Sequence, residues 1–228
     1  MEKLNCKLKK KRGGSADIGP EPESSAMKKA GEREVLLVSH VSKSFNGSPI
    51  LTDFSASFQT GFNLLSGSSG AGKTTLLRMI AGLDSAYDGK ITGVRGKTTF
   101  MFQEDRLFSW LTALENVCCT APDPALANDE AKELLSELMI SKSDQLKYPS
   151  ELSGGMKRRV ALARALLFSL HCGGNTVLMD EPFKGLDPET MAKAAGLCMR
   201  CLSRKIVIVV SHEDADAALN FANVVYIT

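Results

Sequence analysis

The residues best suited to chemistry lie in a glycine-rich segment, GSSGAGKTT, at positions 67–75. Its spacing matches GxxxxGKS/T, in which the glycines let backbone amides approach phosphate oxygens. The lysine of such a loop supplies charge to the β- and γ-phosphates, and the hydroxyl that follows it can ligate magnesium. We therefore predict a site for a nucleoside triphosphate with Mg²⁺, formed by Gly67, Ser68, Ser69, Gly70, Ala71, Gly72, Lys73, Thr74 and Thr75.

Acidic and histidine side chains follow two apolar segments further along the chain. The segment TVLMD runs into Asp180 and Glu181, and the segment IVIVV is followed by Ser211 and His212. If both segments are core strands of an open α/β sheet, their carboxyl ends lie where such sheets bind ligands. We predict that Asp180 binds magnesium, usually through water, and that Glu181 is the general base for an attacking water. His212 is predicted to reach the γ-phosphate, with a structural histidine as the alternative.

A second possible anion site lies in ELSGGMKRRVALARAL, residues 151–166. Ser153 is a good N-cap, and Gly154 and Gly155 leave the first amides of the following helix uncovered. Apolar residues recur at helical spacing after the glycines, with arginines between them. None of these side chains offers a group for catalysis, which raises the question of why one chain carries two phosphate-binding sites.

The elements that must position these residues are predicted from hydrophobic periodicity. EVLLVSHV and ILTDFSASF are predicted strands of a small antiparallel piece, and FNLLS, KTTFMFQ, NTVLMD and KIVIVV are predicted core strands. Helices are predicted for TTLLRMIAG and ETMAKAAGLCMRCL, and a helical insertion for about residues 104–170. Within the insertion, one helical face is formed by Ala131, Leu134, Leu135, Leu138 and Met139. The predicted fold class is α/β, a P-loop NTPase core with a mostly parallel central sheet, a small antiparallel β subdomain and an inserted α-helical subdomain.

Charge is distributed unevenly along the chain. The first twelve residues hold six basic and one acidic side chain, a net charge of +5, so the rest carries −3 against a total of +2. A slightly acidic body is not typical of a nucleic-acid-binding protein. Residues 1–33 lack the apolar core of a secretory signal and are rich in Gly, Ser, Pro and charge. We predict that they form a flexible, disordered leader, with adhesion to anionic lipid as the alternative, and that one domain spans 34–228.

Cysteine usage and hydropathy bear on the compartment. Of the six cysteines, Cys198 and Cys201 have CxxC spacing, but they lie late in a predicted helix and no second ligand pair for zinc is evident. We predict reduced, structurally incidental thiols in a reducing, cytosolic compartment. No apolar run approaches the roughly 18 residues that a membrane-spanning helix needs.

The motifs stand in an order that resembles the ATP-binding cassette (ABC) ATPase family: GSSGAGKTT, FQED, LSGGM, VLMDEP, FKGLD and VVSHE. The resemblance covers about residues 34–228, and FQEDRLFSWLTALENV is similar to importer ATPases for nitrate, sulfonate, taurine and related small solutes. It implies an ATPase with ATP and Mg²⁺ that drives a separate transmembrane permease, with an extracytoplasmic solute-binding protein and no specific nucleic acid. Such a subunit would lie at the cytoplasmic face of the cell membrane as a peripheral protein. The alternative is a non-transport ABC-type ATPase that acts as a mechanical switch on a membrane or nucleic-acid partner.

The resemblance also explains the second anion site. ATPase domains of this family dimerise head to tail, with ATP between the phosphate loop of one copy and the LSGGM segment of the other. Ser153, Gly154 and Gly155 would then cap the γ-phosphate held by the partner's Lys73. Asp187, in GLD, would cross the same interface.

Three further roles are implied by position in the family pattern. Gln103 would sense magnesium and the attacking water and link hydrolysis to the helical insertion. Phe45 would stack on adenine, with a core or strand aromatic as the alternative. The surface around Gln103 to Trp110 and the helices after it would receive a coupling helix of the permease, with Trp110 alternatively a buried anchor of the insertion.

Overall fold

Two sheets organise residues 34–211 and 219–227, which the computed structural model describes. In chain order the strands are β1 (Val35–Phe45), β2 (Ser48–Gln59), β3 (Gly61–Gly67), β4 (Asp88–Thr92), β5 (Lys97–Met101), β6 (Gly173–Asp180), β7 (Ile206–Val210) and β8 (Phe221–Ile227). The α-helices are α1 (Lys73–Ile80), α2 (Ala113–Cys118), α3 (Asn128–Glu137), α4 (Gly154–His171) and α5 (Pro188–Leu202), and short 3₁₀ turns cover Asp144–Leu146 and Pro149–Glu151. The predicted leader and His212 lie outside the described residues.

The larger sheet is parallel and has the order β5-β6-β7-β3-β8. Every residue of β7 and the last five residues of β6 are buried, as expected for strands covered on both faces. Because the strands run in one direction, the carboxyl ends of β3, β5, β6 and β7 lie along one edge. This edge therefore gathers the phosphate loop and the predicted acids.

The smaller, antiparallel sheet has the order β2-β1-β4 and supports the first helix. Its buried side chains Leu36, Val38 and Phe58 belong to the same core cluster as Leu76 and Leu77 of α1. Full burial of one such side chain contributes about 1.5–3 kcal/mol. The helix that follows the phosphate loop is thus held by apolar contacts with both sheets.

The helices between β5 and β6 form a second core cluster with α5 and one face of the parallel sheet. The buried amide of Asn116, in α2, donates to the carbonyl oxygens of Phe108, Leu111 and Thr112. Its side-chain oxygen accepts from the Phe108 amide at 2.8 Å. These bonds fix the segment that leads from Gln103 into the insertion.

One residue of the predicted helical face is placed differently. Met139 is 44% exposed, so the prediction that it lies on the buried face is wrong. The helix α3 ends at Glu137, and a φ of 60° at Met139 takes the chain out of the helical path. The other predicted members are buried: Ala131, Leu134, Leu135 and Leu138.

Two strands, β4 and β8, were not predicted from the sequence. The segment DGKIT of β4 is mostly exposed and contains Gly89 at a φ of 95°, so its hydrophobic pattern is weak. The strand β8 lies at an edge of the parallel sheet and pairs only with β3 among the described residues. Its place depends on that distant pairing, which local periodicity does not reveal.

Candidate nucleotide site

The phosphate loop joins the end of β3 to the start of α1, and two of its glycines are required sterically. A Cβ on Gly67 would lie 2.5 Å from the carbonyl oxygen of Ile227. Gly72 has a φ of 95°, and a Cβ there would lie 2.8 Å from Cγ2 of Ile50. Gly72 is also the N-cap of α1 and makes no side-chain capping bond. The first amides of the helix are therefore not covered by a cap, which suits a bound anion.

The two polar side chains that begin α1 both face the loop and the sheet edge. The ammonium group of Lys73 donates to the carbonyl oxygens of Gly67 and Ser68, each at 2.7 Å. The hydroxyl of Thr74 donates to Oδ2 of Asp180 at 2.7 Å. The loop thus carries a positive charge on one side and a hydroxyl-carboxylate pair on the other.

Asp180 ends β6 and is only 2% exposed. Burial raises the pKa of its carboxyl group above the usual value, and the hydrogen bond from Thr74 opposes that shift. The neighbouring Glu181 carboxylate raises the pKa further, whereas the cations of Arg158 and Lys73 lower it. The site therefore holds a carboxylate that is poorly hydrated and benefits from a nearby cation.

Glu181 follows in a strained backbone conformation, with a φ of 50°. Its amide donates to the carbonyl oxygen of Val210 at 2.8 Å, which ties the end of β6 to the end of β7. Its Oε1 accepts from Nε2 of Gln103 at 3.2 Å. The structure therefore brings together two residues that the sequence placed in one site through separate arguments.

A second partner of Glu181 was missed by the sequence analysis. The ammonium group of Lys184 lies 2.7 Å from Oε2 of Glu181, and the lysine side chain is 59% exposed. Lys184 belongs to the turn between β6 and α5, where Glu181 has its left-handed conformation. Sequence proximity alone gives no sign that this turn brings the two side chains together.

These groups surround a cavity of about 300 Å³ at the carboxyl edge of the parallel sheet. The described residues that line it are Ile50, Ser69, Gly70, Gly72, Lys73, Thr74, Thr75, Gln103, Asp180, Glu181 and Val210. The predicted site residues Phe45, Ser153, Gly154, Gly155 and Asp187 are not among them. The chain's own fold thus assembles the phosphate loop, the strand-end acids and Gln103, and leaves the second anion segment apart.

The second anion segment forms the start of α4. Ser153 is the N-cap, and its hydroxyl accepts from the Met156 amide at 3.2 Å, as the sequence predicted. Ser153 and Gly154 are exposed, and a Cβ on Gly154 would meet nothing within 4 Å. An 18-residue helix therefore presents its N-terminus to the surface of the described chain.

Asp187 caps the other helix that follows the strand-end acids. Its carboxylate accepts from the amide and the hydroxyl of Thr190, at 3.0 and 2.7 Å, as the N-cap of α5. These hydrogen bonds hold the pKa of Asp187 below its usual value. In this chain the residue has a local structural role, and it remains exposed at the surface.

Phe45 ends β1 and is 52% exposed. The ammonium group of Lys43 lies 5.0 Å from the centroid of its ring. Of the alternative, a core or strand aromatic, the strand position is confirmed and burial in the core is wrong. Its role toward adenine stays a prediction.

The fold and the site define an ATPase with a phosphate loop and strand-end acids on a parallel sheet. The ABC transporter family profile matches residues 51–184, more than half of the chain. The chain therefore belongs to the ABC transporter family, and the predicted family, fold class and ATPase class are confirmed.

Curated relatives and solved structures agree with this assignment. The chain is similar to the aliphatic sulfonates import ATP-binding protein SsuB of Delftia acidovorans, with 40% identity over 186 residues, 80% of this chain and 74% of the relative. It is similar to SsuB 1 of Pseudomonas savastanoi pv. phaseolicola, with 37% identity over 78% of this chain and 73% of the relative. A dimeric, post-hydrolysis structure of the ATP-binding cassette MJ0796 bound to ADP and Pi has a TM-score of 0.71, at 25% identity, over 85% of this chain and 94% of that one.

Proposed function

We propose that this chain is the energy-coupling subunit of an importer for small anionic solutes of the sulfonate type. The observation that carries the proposal is the cavity in which the phosphate loop, Gln103, Asp180 and Glu181 meet. The solute class is supported by the relatives, which are named as aliphatic sulfonates import proteins. The chain would bind ATP, hydrolyse it and transmit the change in shape to a separate permease.

Binding of the triphosphate follows from the loop. The amides at the start of α1 and the Lys73 ammonium would hold the β- and γ-phosphates, and the lysine would exchange its carbonyl partners for phosphate oxygens. Phe45 would stack on adenine, because its exposed ring stands at the end of β1.

Mg²⁺ fits the residues that lie beside the loop. The hydroxyl of Thr74 and the carboxylate of Asp180 are hard oxygen donors 2.7 Å apart, and burial disfavours the charge of Asp180 without a cation. Thr74 and Asp180 would hold the ion, Asp180 through water, and Gln103, which lines the same cavity, would sense it. When bound, the ion would neutralise negative charge on the phosphates.

Hydrolysis would depend on the groups at the sheet edge. Glu181 would accept a proton from the attacking water, and the hydrogen bond from Gln103 would orient its carboxylate. His212 would contact the γ-phosphate, since it follows β7 by two residues in sequence. This role rests on the sequence, because His212 lies outside the described residues.

The proposed site is shared between two copies, or between this chain and a paired ATPase subunit. The exposed N-terminus of α4 carries Ser153, Gly154 and Gly155, which do not line the chain's own cavity. In a head-to-tail dimer they would cap the γ-phosphate bound by the partner's Lys73, and Asp187 would lie at the same interface. The dimeric form of the similar cassette MJ0796 supports this arrangement.

A groove between β5 and α4 is the proposed docking surface for the permease. It has a volume of about 300 Å³, and its lining includes Phe102, Glu104, Asp105 and Phe168. The segment that follows carries Trp110, which is 70% exposed, so the alternative of a buried anchor is wrong. An apolar groove and an exposed aromatic side chain are both features that an amphipathic helix of a partner can bind.

The proposed location follows from that contact. In residues 34–211 and 219–227, no helix combines the length and the apolar character needed to cross a membrane. Docking on the permease would hold the subunit at the cytoplasmic face of the cell membrane, with a solute-binding protein on the other side.

The test is a trapping experiment in the native cell. Tagged Glu181→Gln protein is expressed, membranes are solubilised gently with ATP present, and co-purified proteins are identified by mass spectrometry. We expect a permease with several membrane spans, with or without a solute-binding protein, and its loss when Trp110→Ala is added. A single-span envelope or division partner, or no membrane protein at all, would leave the ATPase intact and overturn the importer.

A further inference from the structure

A buried arginine lies directly behind the proposed hydrolytic site. Arg158 is in the second turn of α4 and is 4% exposed. Its guanidinium group extends from the helix to the carboxyl ends of β5 and β6, where Gln103 and Glu181 follow their strands. In the sequence it is one of several arginines that lie between apolar positions.

All three guanidinium nitrogens are used. Nε and Nη2 donate to the carbonyl oxygen of Glu181 at 3.2 and 2.7 Å, and Nη2 also donates to that of Asp180 at 2.6 Å. Nη1 donates to the carbonyl oxygens of Phe102 and Gln103, at 2.8 and 3.0 Å, and to Oδ1 of Asp105 at 3.2 Å. One planar group therefore joins the backbones of two adjacent strand ends.

The backbone of Glu181 needs such support. Its φ of 50° lies in the left-handed region, which is unfavourable for any residue other than glycine. Its amide is held by the carbonyl of Val210, and its carbonyl accepts both bonds from Arg158. Because the conformation is held from both sides, the Glu181 carboxylate is directed toward Nε2 of Gln103.

The charge of Arg158 acts in the same place. Nη2 reaches the backbone of both Asp180 and Glu181, so the guanidinium charge lies beside the two strand-end acids. Its only carboxylate partner among the described residues is Asp105. Most of the hydrogen bonds that this buried cation donates therefore go to carbonyl oxygens. This arrangement suits the forked guanidinium group of an arginine and not the single nitrogen of a lysine.

The geometry points to Arg158 as a positioning residue for hydrolysis. By holding the carbonyls of Gln103 and Glu181, it sets the relative position of the amide and the carboxylate that meet at the attacking water. Since Arg158 lies in the helix that Ser153 caps, it also joins the second anion segment to the proposed general base of its own chain. The inference rests on the proposed ATPase role of Glu181.

A matched control is available in the same helix. Arg164 donates to the carbonyl oxygens of Asp105 and Arg106, each at 2.7 Å, and the contacts described for it reach neither Asp180 nor Glu181. Substituting Arg164 removes a guanidinium group and its two hydrogen bonds to carbonyl oxygens. The hydrogen bonds from Arg158 to the residues at the ends of β5 and β6 are kept. A general effect of a lost arginine on α4 would therefore also be seen in Arg164→Gln.

The experiment measures kcat and KM for ATP in the purified full chain, with Arg158→Gln, Arg158→Lys and Arg164→Gln beside the wild type. We expect Arg158→Gln to lower kcat by about 10- to 100-fold with little change in KM, because the phosphate loop is intact. Arg158→Lys, which keeps the charge but loses the fork, should recover only part of kcat. Arg164→Gln should keep the wild-type kcat.

A double-mutant comparison separates positioning from a loss of folded protein. If Arg158 acts through Glu181, adding Arg158→Gln to Glu181→Gln causes no further loss of single-turnover hydrolysis, whereas independent effects would multiply. Thermal unfolding gives the folded fraction, and if Arg158→Gln does not fold, Arg158→Lys carries the comparison.

Wild-type kcat in Arg158→Lys and Arg158→Gln, multiplied losses in the double variant, or an equal loss in Arg164→Gln would overturn the inference. In each of these outcomes the wild type still hydrolyses ATP and Glu181→Gln hydrolyses it far more slowly, so the proposed ATPase role of Glu181 stands. A wild-type chain that releases no phosphate would overturn both.

Discussion

Two helix N-termini in this chain are suited to anions, and they differ in what surrounds them. The start of α1 has a glycine as its N-cap, so no side chain caps the first amides, and it shares a cavity with Lys73, Gln103 and Glu181. The start of α4 is capped by Ser153 and is open at the surface. Under the proposed function, the first binds ATP and hydrolyses its terminal phosphoanhydride bond, and the second contacts a phosphate bound by the partner copy. One chain would then hold two different halves of a shared site, one at α1 and the other at α4.

The largest expected effect concerns the half of the site at α1. Glu181→Gln removes the proposed base while the shape and the hydrogen bond to Gln103 are kept, so kcat should fall by about 10²- to 10⁴-fold with ATP binding retained. Phosphate release and ATP binding by titration are the measurements. Hydrolysis at the wild-type rate would remove Glu181 from its role.

The second largest effect concerns the half of the site at α4. Ser153→Arg places a bulky cation where the partner's γ-phosphate would lie, and kcat should fall by at least about 100-fold because transition-state contacts are lost. ATP should still bind, because Ser153 does not line the chain's own cavity. Calorimetric titration with ATP decides the point, with Ser153→Gly as the milder control. A variant that no longer binds ATP would contradict the separation of the two halves.

The third effect distinguishes stability from activity at Asp180. Burial raises the pKa of this carboxyl group in the folded state, so its ionisation destabilises the fold as the pH rises through that pKa. Asp180→Asn should therefore raise the Tm of the nucleotide-free protein at neutral pH and lower kcat by about 10-fold or more. The gain in Tm should shrink as the pH falls toward the range in which the carboxyl is protonated in both states. Thermal scans between acid and neutral pH check this, and a variant less stable than wild type at neutral pH would contradict it.

The smallest effect concerns the exposed partner of the base. An ion pair with an exposed lysine is worth about 0.2–1 kcal/mol. Lys184→Gln removes that charge from the Glu181 carboxylate, which becomes a better proton acceptor, so kcat should rise by less than about fivefold. Steady-state phosphate release is sufficient, and a fall in kcat would assign Lys184 a direct part in hydrolysis.

Much of the half of the site at α1 could be predicted from the sequence, because it is marked by local sequence patterns. The GxxxxGKS/T spacing identifies the loop, and an apolar run ending in Asp180 and Glu181 indicates acids at the end of a buried strand. The N-cap role of Ser153 is equally local, and the structure has it. The roles of these residues toward ATP, and that of His212, stay predictions.

The remaining features depend on contacts between distant segments. The bonds of Arg158 join α4 to residues 22 and 55 positions away in sequence, and no local pattern marks that buried position among several arginines. The contact of Lys184 with Glu181 depends on the left-handed φ of Glu181. The exposure of Met139 depends on where α3 ends, and helix ends are weakly encoded in hydrophobic spacing.

The most direct test of the shared site mixes two inactive chains, Lys73→Ala and Ser153→Arg. In a head-to-tail heterodimer one composite site combines both defects and the other combines the intact Lys73 with the intact Ser153. Random pairing of equal amounts should therefore restore about a quarter of the wild-type phosphate release, since half of the dimers are mixed and each has one intact site. Mixed dimers that form with ATP and release no more phosphate than either parent would contradict the account.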